Sequence, residues 1–191
     1  MKISLIIPAA GLSSRHKENK LLRKIDEKFV LEKTISTFTS FPIQILVVLG
    51  FQSKIIRKIL ENEFAEQIEI LENKDFRSGK SSSIRAGISA CEDADYLGFC
   101  NGDLPFISKE TVTKLLNILK MKKPSILAPK FQNQMGHPIF FNRKLRSELL
   151  HISGDFGGIS VVNAHPETVF VPVDDSGVII DMDRLLENEK I

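Results

Sequence analysis

Residues 9–20 combine small residues with cations, a composition that suits the binding of phosphate groups. Ala9, Ala10 and Gly11 would let the backbone approach a ligand closely, and successive N–H groups in such a loop can cradle phosphate oxygens. Hydroxyl donors and cations follow along the loop at Ser13, Ser14, Arg15 and Lys20. The segment equally fits a strand-to-helix turn followed by a solvated basic stretch, because it contains no Walker or GxGxxG pattern.

An aspartate, Asp103, comes just after the apolar run 96–100, with Gly102 before it and Leu104-Pro105 after it. A carboxylate at the end of a buried strand is well placed to hold Mg²⁺, which takes one or two carboxylates together with substrate phosphates. The alternative is a turn aspartate whose side chain bonds to its own backbone.

A second acidic pair, Asp181 and Asp183, follows the apolar residues 178–180. In an extended segment the two carboxylates would lie on one face and could bind a metal, but a pair so close to the end of the chain could also be simply solvated. Asn101, His137 and the segment 154–158, which contains Asp155, are further candidates. His137 precedes a proline, and it could be an ordinary loop residue or a contact to substrate.

The elements that must position these residues follow from the hydrophobic pattern. Strands are predicted at 3–7, 43–49, 68–71, 96–100, 126–128, 138–141 and 168–173, and helices at 32–38, 54–64, 84–90, 111–121 and 144–151. Their alternation predicts an α/β fold with a mostly parallel sheet, which binds ligands where strands end. We expect one domain, 1–191, with a nucleotide-binding part at 1–124 and an acceptor-side part at 125–191.

The composition is that of a globular protein: 191 residues, 42% of them hydrophobic, with a formal net charge of +2. This charge is too small to indicate binding to nucleic acid or to a membrane surface. Cys91 and Cys100 lie in apolar surroundings, which favours reduced core residues over a disulfide. The apolar run at the N-terminus is too short for a signal peptide, so we expect a soluble, cytoplasmic protein.

Six segments, taken in order, resemble motifs of the molybdenum cofactor cytidylyltransferases and their nucleotidyltransferase relatives. Residues 9–20 resemble A-A-G-x-S-x-R-x-G-x-x-K, with Lys17 in place of the glycine. Residues 79–84 are similar to G-M-S-S-S-L, 102–105 to G-D-x-P, 135–140 to the segment around G-H-P-V-L-F, and 154–157 to G-D-x-G. Residues 181–183 match the start of D-I-D-T-P, with Arg184 and Leu185 in place of Thr and Pro.

The resemblance implies a Rossmann-like α/β nucleotidyltransferase domain with a mixed sheet flanked by helices. It implies transfer of CMP from CTP to the phosphate of a molybdopterin-type cofactor, with pyrophosphate released. Arg15, Lys20 and Asp103 would be catalytic, and Asp103 and Asp183 would hold Mg²⁺. The nucleotide or acceptor would be bound by Ala9, Ala10, Gly11, Ser13, Gly79, Ser81, Ser82 and His137. A molybdenum hydroxylase apo-enzyme would be a partner.

The sequence also allows two alternative functions. The chain could be a related nucleotidyltransferase that uses GTP, or a sugar or alcohol phosphate as the acceptor. It could also be a non-catalytic protein that binds the molybdenum cofactor, although such a carrier would not need a metal-binding carboxylate.

Overall fold

The chain folds into a three-layer α/β/α sandwich in a computed structural model that describes residues 1–11, 19–154 and 157–188. The strands are β1 (Ile3–Ala9), β2 (Lys24–Ile25), β3 (Lys28–Phe29), β4 (Gln44–Leu49), β5 (Glu69–Glu72), β6 (Tyr96–Phe99), β7 (Ile126–Phe131), β8 (Gln134–Met135), β9 (Ile139–Asn142) and β10 (Val169–Pro172). The helices are α1 (Val30–Ser36), α2 (Ser53–Phe64), α3 (Lys80–Ala90), α4 (Lys109–Lys122), α5 (Arg146–Leu150), α6 (Ile159–Ala164) and α7 (Met182–Asn188).

The central sheet is mixed and mostly parallel, as predicted. Its strand order is β10-β7-β9-β6-β1-β4-β5, with β8 paired to β7. Strands β1, β4, β5 and β6 run parallel, and β9 is antiparallel between β6 and β7. The carboxyl ends of β1 and β6 therefore lie at the same edge as the start of β9. That edge is where the sequence places its candidate side chains.

The side chains of β1 are buried on both faces of the sheet, because successive side chains in a strand point to opposite faces. Leu5 and Ile7 face one cluster, which includes residues of α1, α2 and α4, and Ile6 faces the other, which includes residues of α3, α5 and α6. All three β1 side chains are fully buried. The nearly continuous apolar run is thus typical of a central parallel strand.

The helices begin and end close to the predicted positions, with two differences. Helix α3 begins at Lys80 and not at residue 84, so Lys80 and Ser81 belong to its first turn and not to a preceding loop. The start at Lys80 is possible because Gly79, the residue before it, has a φ of 93°, which side chains rarely tolerate. Helices α6 and α7 were not predicted at all. Within the described residues, no helix is long and apolar enough to cross a membrane.

Gly87 is the position where α3 lies closest to the sheet. A Cβ on Gly87 would lie 2.6 Å from Cγ2 of Ile6, much closer than van der Waals contact. We predict that Gly87→Ala lowers the free energy of unfolding by about 1–3 kcal/mol, the usual effect of overpacking a core. Urea denaturation measures this change. Ser89→Ala, on the exposed side of the same helix, is the control and should stay within about 0.5 kcal/mol of the parent protein. Equal stability of the two variants would contradict this packing.

Candidate functional site

The candidate site lies at the sheet edge where β1 and β6 end and β9 begins. Ile6 of β1 pairs with Phe99 of β6, and Phe99 pairs with Ile139 of β9. The loops after β1 and β6 and the turn before β9 therefore lie side by side. They carry the small-residue loop, Asp103 and His137, respectively.

Three charged side chains from distant parts of the chain meet at this edge. The Lys20 ammonium lies 2.6 Å from Oδ2 of Asp103 and 3.0 Å from Oδ2 of Asp183. Asp103 is 7% exposed, and the Lys20 and Asp183 side chains are 21% and 25% exposed. The predicted proximity of Lys20, Asp103 and Asp183 is thus present, and a cation is accommodated between the two carboxylates.

The carboxylates stabilise the charged form of Lys20. Burial lowers the pKa of this ammonium, but the charge and hydrogen bond of Asp103, followed by those of Asp183, outweigh it. The pKa of Lys20 is therefore raised above its usual value. Lys20 is positively charged at neutral pH, which compensates the partial burial of the two carboxylates.

Lys20 is held in place by a capped turn. The Asn19 side chain accepts a hydrogen bond from the Leu21 N–H at 3.1 Å, which caps the short 3-10 turn Lys20–Leu22. The same side chain donates to Oε1 of Gln52 at 3.1 Å. Asn19 is 6% exposed. The turn is therefore anchored to the loop between β4 and α2.

The loop that carries Asp103 is fixed to helix α1. The Thr34 hydroxyl donates to the Gly102 carbonyl at 3.1 Å, and the Thr37 hydroxyl donates to the Ile107 carbonyl at 3.3 Å. Both threonines are buried. The loop is therefore hydrogen-bonded both before and after Asp103, at Gly102 and at Ile107. The position of the Asp103 carboxylate is thus well defined before any ligand binds.

Asp183 reaches the site because the segment before α7 is clamped. The backbone N–H of His137 donates to the Val178 carbonyl at 2.9 Å. A Cβ on Gly177 would lie 2.0 Å from the Phe106 carbonyl oxygen, so only glycine allows this approach. Residues 176–178 are held between the Asp103 loop and the turn before β9. This places the first turn of α7, with Asp183, over the site.

The expectation that Asp181 and Asp183 share one face of an extended segment is wrong. The Asp181 side chain accepts from the Arg184 N–H at 3.0 Å, the N-cap arrangement, and α7 starts at Met182. Residues 182–188 are mostly good helix formers, so the capped helix is favoured over a strand. Asp183, in the first turn of α7, is the aspartate of this pair that contacts Lys20 among the described ion pairs.

His137 is a half-buried, neutral imidazole at the same edge. Burial, and then the charge of Lys80, lowers its pKa to about 4, against smaller opposing effects of Phe99 and Asp103. Its Nδ1 lies 3.1 Å from the Phe99 carbonyl, which can only accept, so Nδ1 carries the proton. The remaining nitrogen, Nε2, is therefore a hydrogen-bond acceptor at neutral pH. This protonation state was not predictable from spacing.

The small-residue loop is described only in part. Ala9 and Ala10 are buried at the end of β1, and the Ala10 carbonyl accepts from the Phe51 N–H at 3.2 Å. Gly11 is exposed, and a Cβ there would meet no atom of the described residues within 4 Å. Ser13 and Arg15 lie outside the described residues, as do Lys17 and Asp155. Their roles stay predictions.

Ser81 and Ser82 are buried and bonded to the protein backbone. The Ser81 hydroxyl donates to the Gly154 carbonyl at 2.5 Å, and the Ser82 hydroxyl donates to the Gly79 carbonyl at 2.8 Å. Asn73 donates to both Ser82 and Ser83. These contacts hold the turn before α3 in shape. A direct contact of Ser81, Ser82 or Gly79 with a nucleotide stays a prediction.

One cation at this edge, Lys80, was not predicted from the sequence as a site residue. Its ammonium donates to Oδ1 of Asn101 at 2.5 Å, two residues before Asp103. Lys80 stands where the G-M-S-S-S-L motif has methionine, and this replacement of an apolar residue by a cation was the available clue. Cys91 and Cys100 are buried free thiols, and burial raises the pKa of the Cys100 thiol.

The Lys20 ammonium can be tested as the counter-charge of the two carboxylates. We predict that Lys20→Met lowers the free energy of unfolding by about 1–3 kcal/mol, because Asp103 and Asp183 then repel each other. Added Mn²⁺ should stabilise this variant more than the parent protein, because the metal no longer competes with the ammonium. Urea denaturation with and without MnCl₂ measures both effects. Lys120→Met, at an exposed position of α4, is the control. Equal stabilisation of Lys20→Met and the parent protein by Mn²⁺ would contradict the shared ion pair of Lys20 with Asp103 and Asp183.

The lowered pKa of His137 predicts a pH dependence of stability. Between pH 6.5 and about 4 the unfolded imidazole binds a proton and the folded one does not. Stability should therefore fall as the pH falls through this window, by up to about 1.4 kcal/mol per pH unit. His137→Gln should lose this part of the pH dependence, measured by urea denaturation at several pH values. His151→Gln, at an exposed position of the turn after α5, should retain it. Parallel curves for His137→Gln and the parent would contradict the burial of a neutral imidazole.

Solved structures similar to this chain include several nucleotidyltransferases. A nucleotidyl transferase from Methanothermobacter thermautotroptrophicus superposes with a TM-score of 0.80 at 17% identity, over 99% of this chain and 97% of that one. The Rv0371C protein of Mycobacterium tuberculosis H37Rv, solved in complex with manganese, gives 0.77 at 20% identity, over 98% and 99%. At these identities the similarity shows the fold.

Sequence comparison gives the family. The chain is 26% identical to the molybdenum cofactor cytidylyltransferase of Escherichia coli K12 over 141 residues, 74% of this chain and 70% of that protein. It is 31% identical to the bifunctional protein GlmU of Buchnera aphidicola over 75% of its length, although this region is only 31% of that larger protein. Residues 5–169 match the MobA-like NTP transferase domain family, and the chain belongs to this family.

Proposed function

We propose that this protein transfers CMP from CTP to the phosphate of a molybdopterin-type molybdenum cofactor and releases pyrophosphate. The observation that carries the proposal is the Lys20 ammonium within 3.0 Å of carboxylate oxygens of both Asp103 and Asp183, at the edge where β1 and β6 end. The similarity to a molybdenum cofactor cytidylyltransferase supports CTP and molybdopterin as the substrates.

Asp103 and Asp183 are the residues that would hold Mg²⁺. Their geometry fits the ion, since they already share a cation, and Mg²⁺ in nucleotide sites takes one or two carboxylates with the substrate phosphates. The described residues contain no larger group of metal-binding side chains. When bound, the ion would neutralise phosphate charge near the α-phosphorus.

Lys20 and the loop after β1 would bind the triphosphate. Among the described residues, nothing lies within 4 Å of a Cβ placed on Gly11, so the backbone at this point can approach a phosphate. A triphosphate would offer Lys20 an alternative anionic partner to the two carboxylates. Arg15 and Ser13 are assigned to the triphosphate from the sequence alone, because they lie outside the described residues. Gly79, Ser81 and Ser82 of the motif at 79–84 would contribute to binding of the nucleoside.

The reaction needs positioning and charge stabilisation but no protein nucleophile. An oxygen of the acceptor phosphate forms a bond to the α-phosphorus as the bond between that phosphorus and the bridging oxygen to the β-phosphorus breaks. The electron pair of that bond leaves with pyrophosphate. His137 would contribute on the acceptor side, because its neutral Nε2 can accept a hydrogen bond from an N–H or O–H group of the acceptor.

A pyrophosphate-release assay tests the proposed function. CTP, GTP and ATP are each supplied with Mg²⁺, with and without molybdopterin cofactor. The proposal expects release with CTP that requires the cofactor. Release with GTP, or with a sugar phosphate in place of the cofactor, would assign the protein to another donor or acceptor within the family. Cofactor binding without turnover with any nucleotide would indicate a carrier and overturn the proposal.

Asp103 provides a sharper test of the same site. Asp103→Ala should lower turnover at least about 100-fold, the scale expected for the loss of one important electrostatic stabiliser. Asp93→Ala is the control, because its carboxylate lies before β6, with a side chain that is 88% exposed. Turnover numbers at saturating Mg²⁺ compare the two variants. Near-normal turnover of Asp103→Ala would remove this carboxylate from the mechanism.

A further inference from the structure

A second lysine, Lys80, lies at the same sheet edge, apart from the Lys20 contacts described above. It is the first residue of α3, and its ammonium donates to Oδ1 of Asn101 at 2.5 Å. Asn101 directly precedes Gly102 and Asp103 in the loop after β6. One loop therefore contacts both lysines, through an uncharged amide at Asn101 and through a carboxylate at Asp103.

The surroundings of Lys80 come from the C-terminal third of the chain. The Lys80 ammonium bonds to Asn101, two residues after Phe99, whose carbonyl bonds to Nδ1 of His137. In keeping with this placement, the charge of Lys80 is one cause of the lowered pKa of His137. A Cβ on Gly157 would lie 3.9 Å from Cε of Lys80, which places the turn at 157–158 against the lysine stem. The Gly154 carbonyl also accepts two hydrogen bonds from Ser81, the next residue of α3.

The two lysines therefore serve different sides of the site. Lys20 contacts the carboxylates assigned to the metal and follows the loop assigned to the triphosphate. Lys80 lies towards His137 and the turn at 157–158, within the part of the chain assigned to the acceptor. An attacking phosphate carries negative charge towards a polyanionic triphosphate, so a cation on its approach side would offset that repulsion.

Building on the proposed function, we propose that Lys80 binds the phosphate of the acceptor and makes the site selective for phosphate monoesters over neutral alcohols. An ammonium forms charge-assisted hydrogen bonds with a phosphate, and these are stronger than its hydrogen bonds with a neutral alcohol. The uncharged Asn101 amide orients the ammonium, and a phosphate would join or replace the present partners of that ammonium.

The test uses the whole chain, inorganic phosphate as the probe, and Mg²⁺ with α,β-methylene CTP, an analogue that cannot react. Dissociation constants for the analogue and for phosphate are measured by ³¹P NMR titration. The variants are Lys80→Met, which restores the apolar residue of the motif, and Lys80→Arg, which keeps the charge. Lys120→Met, exposed on the last turns of α4, is the control for the loss of one positive charge.

We expect Lys80→Met to weaken phosphate binding about tenfold or more, the effect of losing a charge-assisted hydrogen bond. Binding of the CTP analogue should change less than about twofold. Lys80→Arg should retain most of the phosphate affinity, and Lys120→Met should behave as the parent protein. A loss confined to Lys80→Met cannot come from a general loss of folding, because nucleotide binding is retained.

The possible failures are distinguishable. If the parent protein does not bind the CTP analogue, the proposed function is overturned, and the role of Lys80 with it. If the analogue binds but phosphate does not, or if Lys80→Met binds phosphate as the parent does, the inference about Lys80 is wrong and the proposed function stands. Weaker binding of the CTP analogue to Lys80→Met, with phosphate binding unchanged, would assign Lys80 to the nucleotide and overturn the inference.

Discussion

The shared ion pair of Lys20 with Asp103 and Asp183 is the interaction on which the site depends. A carboxylate as buried as Asp103, which is 7% exposed, needs a counter-charge or strong hydrogen bonds to stay ionised without a large free-energy cost. Lys20 supplies that charge and reaches Asp183 as well. The N-terminal turn, the loop after β6 and helix α7 must therefore all be in place before Lys20 can offset the charge of the two carboxylates.

The fold provides this arrangement through short, well-bonded connections. The buried threonines Thr34 and Thr37 hold the Asp103 loop against α1, and the Asn19 side chain fixes the turn that carries Lys20. The approach of Gly177 to Phe106 brings in the C-terminal segment. These contacts are made within the protein itself, so the charged side chains are positioned by packing before substrate arrives. Preorganisation of this kind is how nucleotidyl transfer can proceed without a protein nucleophile.

Much of the fold was predictable, because β1 and β4 are continuous apolar runs and α2 has a clear amphipathic pattern. The order of motifs along the chain also placed Lys20 and Asp103 in one site. Helix α7 was not predicted, because its N-cap, Asp181, was interpreted as half of an acidic pair. An aspartate that caps a helix cannot be distinguished by sequence alone from one that binds a metal. Lys80 was not predicted, because residues 79–84 were matched to a motif as a whole and the contact of this lysine with Asn101 depends on the fold. The protonation state of His137 depends on burial, which the sequence does not show.

Anomalous diffraction from crystals grown with MnCl₂ and α,β-methylene CTP would test the central claim most directly. A manganese peak about 2 Å from a carboxylate oxygen of Asp103 and of Asp183, with the Lys20 ammonium moved onto a phosphate oxygen, is the predicted result. Manganese bound elsewhere, with Lys20 still between the two carboxylates while the nucleotide is bound, would contradict the account.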